Sequence, residues 1–322
     1  MTSISVIIPA YNAEKYIAEA IESALNQTRP AKEVIVVDDA STDRTVEIAR
    51  SFGDRVTVLV NAVNSGPGHS RNAGVAASTG DYLAFLDADD KWMPGHLEDL
   101  AGLLDRWPEA GFAYGLVQVF GIRNELGSRF PDLPSNAPQS IFLRLMRTTV
   151  LLPTTAVVRR QAFDVSKGFD EIVEMRCGRR VQVEDYDFFL RLSAHCLGIQ
   201  SSEITACYRT YAGQSNVVRD WQMLLEFKYR MRLIKQIQAR PDAHPDLPAA
   251  VERMQRAWEQ QLREAWIKGK IPYLRELIRW GRKVPYLLDV CKYYRWRALC
   301  PAWLLRLGRS LGQAIRALTG RI

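Results

Sequence analysis

The chain predicts an α/β fold, a mostly parallel sheet covered by helices on both faces, with a helical extension behind it. Three observations predict it. Short apolar runs alternate with segments of helical spacing, several runs end in turn or acidic residues, and the charge balance reverses near residue 218. The first run, in ISVIIPAYN, is β-branched, stops at Pro9 and opens into a turn. Ile17, Ala20, Ile21, Ala24 and Leu25 then fall at helical spacing. Val34 to Val37 form a second strand, and residues Thr42 to Arg50 enter a second helix. VTVLV at residues 56–60 is a third strand, NSGPGHSRNAG leads into a third helix, and Tyr82 to Leu86 is a fourth strand. Farther on, Tyr114 to Gly121 and Thr155 to Arg159 read as strands. The proline-rich connection Leu126 to Gln139 is either a cover for a cleft or an inert excursion.

The fourth strand ends in Asp87, Asp89 and Asp90. Clustered carboxylates repel one another, and a divalent cation resolves the conflict; a solvated acidic turn is the alternative. In parallel sheets ligands collect beyond the C-terminal strand ends, which puts Tyr11, Asp39 and the three aspartates on one rim. Neither GxGxxG nor GxxxxGK[ST] follows the first strand, so no glycine loop is there to wrap a pyrophosphate. A nucleotide must then be held by side chains and a metal. Tyr11 can stack on a base, Asp39 can accept from a base or ribose, and Arg71 can reach a base edge or a phosphate. Each has a plainer reading: packing, a helix cap and a surface charge.

These pieces carry a family resemblance. SVIIPAYN, EVIVVDDASTD, NSGPGHSRNAG, GDYLAFLDADD, KGFDE and VEDYDFFLR occur in the order found in family 2 glycosyltransferases of the GT-A fold, over residues 3 to about 216. The resemblance implies a Rossmann-like, mostly parallel sheet and mostly inverting chemistry on sugar nucleotides. It implies that Pro9 and Tyr11 frame the base, Asp39 binds uracil or its equivalent, Arg71 contacts the nucleotide, Asp87 addresses ribose, Asp89 holds Mn²⁺ or Mg²⁺, and Asp185 is the catalytic base.

The chemistry gives these roles a reason. A departing nucleoside diphosphate gains negative charge that a divalent cation stabilises, while the acceptor hydroxyl needs a carboxylate to take its proton. Glu184 and Asp185 both begin an amphipathic helix, and adjacency cannot choose between them; the resemblance selects Asp185. The alternative is that these acids favour the helix N-terminus electrostatically.

One segment departs from the family. In CYRTYAGQSNV, Tyr211 stands where relatives carry histidine, and a phenol is a poor metal ligand at neutral pH. Arg209 and Ser215 are the better candidates for diphosphate contacts. No QxxRW follows the base, which favours one transfer per encounter over processive synthesis.

The sequence divides near residue 218. Residues 1–218 carry 21 Lys and Arg against 27 Asp and Glu, a formal −6, whereas residues 219–322 carry 22 against 9, a formal +13. We expect a catalytic domain at 1–218, with a donor-binding half at about 1–90 and an acceptor-binding half at about 91–218, and a basic, mainly helical extension at 219–322. Between Trp303 and Leu318, Leu304, Leu307, Leu311, Ile315 and Leu318 fall on one side of a helix and Arg306, Arg309, Gln313 and Arg316 on the other, with Leu305 interrupting the polar face, so residues 297–322 are expected to touch anionic membrane; a helix packed on the domain or on a partner is the alternative. No apolar stretch is long enough to span a bilayer, no export segment stands at the start, and the five cysteines suggest neither a disulfide framework nor a zinc site. Cytoplasmic residence follows, at the inner face of the membrane if the tail binds lipid. No nucleic-acid module organises the basic residues. His69 and His195 read as packing residues, and the methionines and aromatics of 221–234 as a helix face.

The expected reaction moves a sugar from a UDP-sugar, with dTDP- and GDP-sugars as further candidates, to a hydroxyl of a surface glycan or lipid-linked glycan. Two other classes stand beside it. A sugar-nucleotide pyrophosphorylase would lack its usual glycine-rich run here, and a noncatalytic scaffold of a polysaccharide machine would show no turnover.

Overall fold

Ile4–Ala10 forms the central strand β1, buried at all seven positions. The burial follows from neighbours on both edges and helices on both faces. After α1 (Ile17–Leu25) comes β2 (Glu33–Asp38), then α2 (Thr45–Arg50), β3 (Thr57–Val60), α3 (Pro67–Ala77) and β4 (Tyr82–Phe85). The chain continues through β5 (Lys91–Trp92), α4 (His96–Arg106), β6 (Ala110–Gly121), β7 (Glu125–Ser128), α5 (Phe142–Leu145), β8 (Ala156–Arg159) and α6 (Arg160–Ser166). A hairpin of β9 (Glu174–Arg176) and β10 (Arg179–Val181) precedes α7 (Glu184–Ser193), β11 (Leu197–Thr210) and α8 (Leu247–Ile267). This computed structural model describes residues 2–122, 125–128, 137–146, 151–171, 174–176, 179–181, 183–211, 229–230, 232–233, 247–267 and 277–279. Ser215 and the whole segment 297–322 lie outside the described residues.

The main sheet has nine strands in the order β3-β2-β1-β4-β8-β6-β11-β5, with β7 beside β6. Its first four strands are parallel, with Ala10 opposite Asp38 and Ile7 opposite Phe85. Parallel register therefore brings the ends of β1, β2 and β4 to one rim. Beyond β4 the sheet is mixed: β8 runs antiparallel to β4 and β6, while β6 and β11 are parallel. Within β1 the side chains alternate between two cores. Ile4, Val6 and Ile8 join Ile17 and Ile21 of α1 and Leu97, Leu100 and Leu104 of α4. Each such buried aliphatic side chain contributes about 1.5–3 kcal/mol. On the other face Ile7 meets α3 at Gly74, where a Cβ would come within 2.5 Å of Ile7 Cγ2. Phe85 closes that layer with the rings of Phe163, Phe169 and Phe188. The close approach of α3 fixes where its Arg71 emerges.

Two findings differ from the sequence reading. Residues 125–128 form β7, antiparallel to β6, inside what reads as an irregular connection. Gly121, at φ +105, turns the chain there, and a Cβ on it would meet the Thr210 carbonyl at 2.1 Å. β11 was also hidden, because Ser201, Ser202 and Glu203 break its alternation and the register shifts between Gln200 and Ile204.

The chain divides into two compact units, Met1–Val217 and Val218–Ile322. In the second, Trp258 and Leu262 of α8 are buried one turn apart, and Tyr229, Arg230 and Leu233 are buried as well. Among the described residues no helix is long and apolar enough to cross a membrane.

Candidate active site

The turns after β1 and β2 are tied together. Asn12, at φ +49, donates its backbone N–H to Ser41 Oγ at 2.9 Å and accepts from the Thr42 N–H through Oδ1 at 2.9 Å. Asn tolerates this left-handed backbone better than most residues. The tie leaves Tyr11 at the rim, 51% exposed, with its ring face available for stacking. Asp39 is buried, and it accepts from Asn61 Nδ2 at 2.9 Å, the Ser65 N–H at 2.9 Å and the Gly66 N–H at 2.7 Å. It thus organises the 61–66 turn, with Gly66 at φ +93 and Pro67 opening α3. A carboxylate offers about four lone-pair directions, so Asp39 keeps acceptor capacity on the side facing a cleft of about 400 Å³ that Pro9, Tyr11, Asn64 and Pro67 also line.

Pro9, Tyr11 and Pro67 also line a larger cleft of about 750 Å³, which holds Arg71, Asp87, Asp89, Asp185 and Tyr211. Seven of the sequence-predicted site residues therefore line these adjoining clefts: Pro9, Tyr11, Asp39, Arg71, Asp87, Asp89 and Asp185. Arg209 is not among the residues that line them. Its Nε donates to the Asp89 carbonyl at 2.7 Å, Nη2 pairs with Glu19, and the guanidinium sits over Tyr16 at 4.7 Å and Phe120 at 4.4 Å. Arg209 holds the acidic turn from behind.

The three aspartates of that turn have separate partners. Asp87 Oδ1 accepts from Arg71 Nη2 at 2.7 Å. Asp89 Oδ2 accepts from the Tyr211 hydroxyl at 3.1 Å. Asp90 is buried and accepts from Thr154 Oγ1 at 2.9 Å and the Arg209 backbone N–H at 2.8 Å. Burial first, then the charges of Asp87 and Asp89, pushes Asp90 well above the usual carboxylate range. Asp90 ties the turn to Thr154 and β11. Burial and Asp87 also raise Asp89, while burial and Asp89 raise the Tyr211 phenol, which stays a neutral donor.

Arg71 is no surface charge. It is buried, with Nη1 donating to Glu184 Oε1 at 2.9 Å and its guanidinium 5.1 Å over the Phe169 ring. Gly68 permits this packing, since a Cβ there would meet the Asp170 carbonyl at 2.6 Å and Glu184 Cγ at 3.2 Å. Asp185 makes no ion pair among the described residues, and its Oδ1 accepts from the Tyr186 N–H at 2.7 Å. Burial, then the Glu184 charge, pushes Asp185 up to about 7 against the pull of Arg71. His69, read as a helix-start or polar packing residue, shares a hydrogen bond of 2.8 Å between its Nδ1 and Glu171 Oε2.

Among the described residues no three His, Cys, Asp or Glu converge as a metal-holding group. The residues present fit a cation that takes Asp89 and completes its shell from diphosphate oxygens and water, a common arrangement for magnesium. Sequence reasoning missed Thr154, Asp90's closed role and the Arg71–Glu184 pair. Only the last had a signal, the acid beside Asp185.

A mostly parallel sheet flanked by helices, with an exposed tyrosine, a loop-bound aspartate, an acidic turn and a carboxylate at a helix start along its rim, is an architecture of the GT-A type. The family model for glycosyl transferase family 2 matches residues 5–166, and the chain belongs to that family. It is similar to the putative glycosyltransferase EpsE of Bacillus subtilis, 33% identical over 195 residues, which covers 58% of this chain and 66% of that protein. The chain thus spans just under two thirds of that relative's length. Among solved structures, S. aureus TarS 1–349 in complex with UDP-GlcNAc matches with a TM-score of 0.69 at 21% identity, over 90% of this chain and 83% of that one. The mannosyltransferase PcManGT of Pyrobaculum calidifontis, in complex with GDP-Man and Mn²⁺, matches with a TM-score of 0.57 at 18% identity, over 100% and 88%. The matched family is described as a glycosyl transferase family and not as a sugar-nucleotide pyrophosphorylase.

Proposed function

We propose that this chain transfers one sugar per encounter from a nucleoside-diphosphate sugar, a UDP-sugar first, to a hydroxyl of a glycan or lipid-linked glycan, with inversion at the anomeric carbon. The observation that carries the reading is the division of labour between adjacent acids: Glu184 is bound to Arg71, while Asp185 lines the same cleft as Asp87 and Asp89 without an ion pair among the described residues. A base with pKa near 7 is matched to proton transfer at neutral pH. The UDP-GlcNAc of TarS supports the donor class and the Mn²⁺ of PcManGT supports the cation.

Tyr11 stacks on the base, Asp39 accepts from it, and Asp87 accepts from ribose. Asp89 would hold Mn²⁺ or Mg²⁺, which supplies charge stabilisation to the departing diphosphate. Asp185 takes the acceptor proton as the acceptor oxygen bonds to the anomeric carbon. The bond from that carbon to the diphosphate oxygen breaks, and its electron pair leaves on the diphosphate. One displacement inverts the centre. Arg71 and Glu184 hold Asp185 and Asp87 in register across the cleft.

The +13 charge of residues 219–322 supports a place on the cytoplasmic face of the inner membrane, where 297–322 would meet anionic lipid and a lipid-linked acceptor. The test is ligand-detected NMR with UDP-, dTDP- and GDP-sugars, with and without Mn²⁺. Binding of one class, strengthened by Mn²⁺, is expected; binding of none would overturn the donor assignment.

A further inference from the structure

The end of β11 brackets the acidic turn from two sides. Arg209 donates its backbone N–H to Asp90 Oδ1 at 2.8 Å and its Nε to the Asp89 carbonyl at 2.7 Å. Two residues on, the Tyr211 hydroxyl donates to Asp89 Oδ2 at 3.1 Å, and its ring rests on Tyr16 with centroids 5.5 Å apart. The Tyr16 ring in turn lies under the Arg209 guanidinium at 4.7 Å. Tyr211 is therefore seated, and its hydroxyl has a fixed direction.

That seating has a consequence for cation binding. The protein group beside Asp89 in the cleft is a hydrogen donor, and a phenol that gives its hydrogen to a carboxylate is a poor partner for a cation. Among the described residues no third acidic, histidine or cysteine side chain converges to complete a site. Asp87, the other carboxylate of the turn in this cleft, is taken by Arg71 at 2.7 Å, which leaves Asp89 to hold Mg²⁺ or Mn²⁺ with help from substrate phosphates.

We propose that Tyr211 is a positioning residue that fixes the Asp89 carboxylate and withholds a second protein ligand, so that a divalent cation binds this chain tightly only together with a nucleoside diphosphate. The inference rests on the metal-dependent reading above. The hydrogen bond occupies one acceptor direction of Asp89 Oδ2 and restrains its rotamer, and the diphosphate supplies the remaining oxygens. By linkage, cation and diphosphate then raise each other's affinity by the same factor.

The experiment is a Mn²⁺ titration followed by the EPR signal of the free ion, on the full chain, alone and with saturating UDP or GDP, whichever binds better. Wild type should retain Mn²⁺ only with the nucleotide. Tyr211→His places an imidazole beside Asp89 and should bind Mn²⁺ without nucleotide about 10- to 100-fold more tightly than wild type. Tyr211→Phe keeps the ring against Tyr16 and removes the donor. It should weaken Mn²⁺ binding in the ternary complex by about tenfold while leaving nucleotide affinity in EDTA unchanged. Equal Mn²⁺ affinity of wild type with and without nucleotide would overturn the proposal, as would a Tyr211→His variant no tighter than wild type. Nucleotide bound in EDTA with no Mn²⁺ in the ternary complex would remove the metal reading and this inference together. Failure to bind either nucleotide would show the fault to lie in the donor assignment.

Discussion

Arg71 and Glu184, 113 residues apart in sequence, meet in a buried ion pair at 2.9 Å, and the same guanidinium binds Asp87 at 2.7 Å. One side chain from α3 therefore spans the acidic turn and the start of α7. Breaking a buried pair by removing one partner leaves a desolvated charge behind.

The adjacent acids should consequently fail in different ways. Glu184→Gln keeps the shape but removes the charge that answers Arg71, and should cost about 1–3 kcal/mol of stability. Asp185→Asn should keep donor binding and lose about 10²-fold or more in transfer. It should also raise the melting temperature above pH 7, because the fold no longer holds an ionised carboxylate that burial disfavours. Measuring melting, donor affinity and turnover for both variants checks the assignment. A stable Asp185→Asn protein with wild-type turnover, beside an inactive Glu184→Gln, would make Glu184 the base.

Asp185 also sets a pH dependence. Its folded-state pKa is raised from the ordinary 3.8 to about 7. The ionised form is the base, so kcat/KM of the free enzyme should be full above that pKa. It should fall about tenfold per pH unit well below it. The stability consequence has the opposite sense. Between the two pKa values the folded state holds the extra proton, so stability falls as pH rises through that window. A kcat/KM profile flat from pH 5 to 9, in a buffer series with subsaturating donor, would remove Asp185 from its role.

Asp39 tests the nucleotide side. Its three acceptor bonds pin Asn61, Ser65 and Gly66, and its remaining capacity faces the base cleft. Asp39→Asn turns an amide toward backbone N–H donors, so the 61–66 turn should loosen and UDP affinity drop by about tenfold or more, given the worth of hydrogen bonds to charged groups. Calorimetry with UDP, which carries no sugar, isolates the effect. Unchanged affinity together with unchanged hydrogen exchange in the 61–66 turn would place the base elsewhere.

What was legible in the sequence was whatever short-range pattern and parallel register decide. Runs such as ISVIIPA and EVIVVD are buried on both faces, so their apolar continuity identified β1 and β2, and the acids at the ends of β2 and β4 had to share a rim. Side-chain direction was not legible. Arg209 sits near the end of β11, and its guanidinium is drawn to Glu19 and the Asp89 carbonyl, partners 190 and 120 residues away. Thr154 gives no local signal, although its hydroxyl joins the Asp87 N–H to Asp90. Asp90 looked like its neighbours in the DADD run, and only burial made it a structural tie. β11 was obscured because its polar middle reads as a loop until β6 is placed beside it.

The last prediction concerns His96, at the start of α4. Its side chain is fully buried and stacked on Trp92 with centroids 4.2 Å apart. Burial pushes its pKa from the ordinary 6.5 down to about 3, against a smaller opposing contribution from the Thr205 backbone. The unfolded chain therefore binds a proton in that interval that the folded chain refuses. The stabilisation from the neutral ring is whole above about 6.5 and is lost as pH falls toward 3, at about 1.4 kcal/mol per pH unit on the steep part. His96→Phe removes the titration while keeping an aromatic ring against Trp92. Hydrogen exchange of the α4 peptide at increasing urea, compared at pH 7.5 and 5.0, reads the local stability. Wild type should lose about 2 kcal/mol more than His96→Phe over that step, with a similar stability at pH 7.5 if the ring packs. Equal losses in the two proteins would mean that His96 accepts its proton inside the fold, and that the acid sensitivity of this unit belongs to other groups.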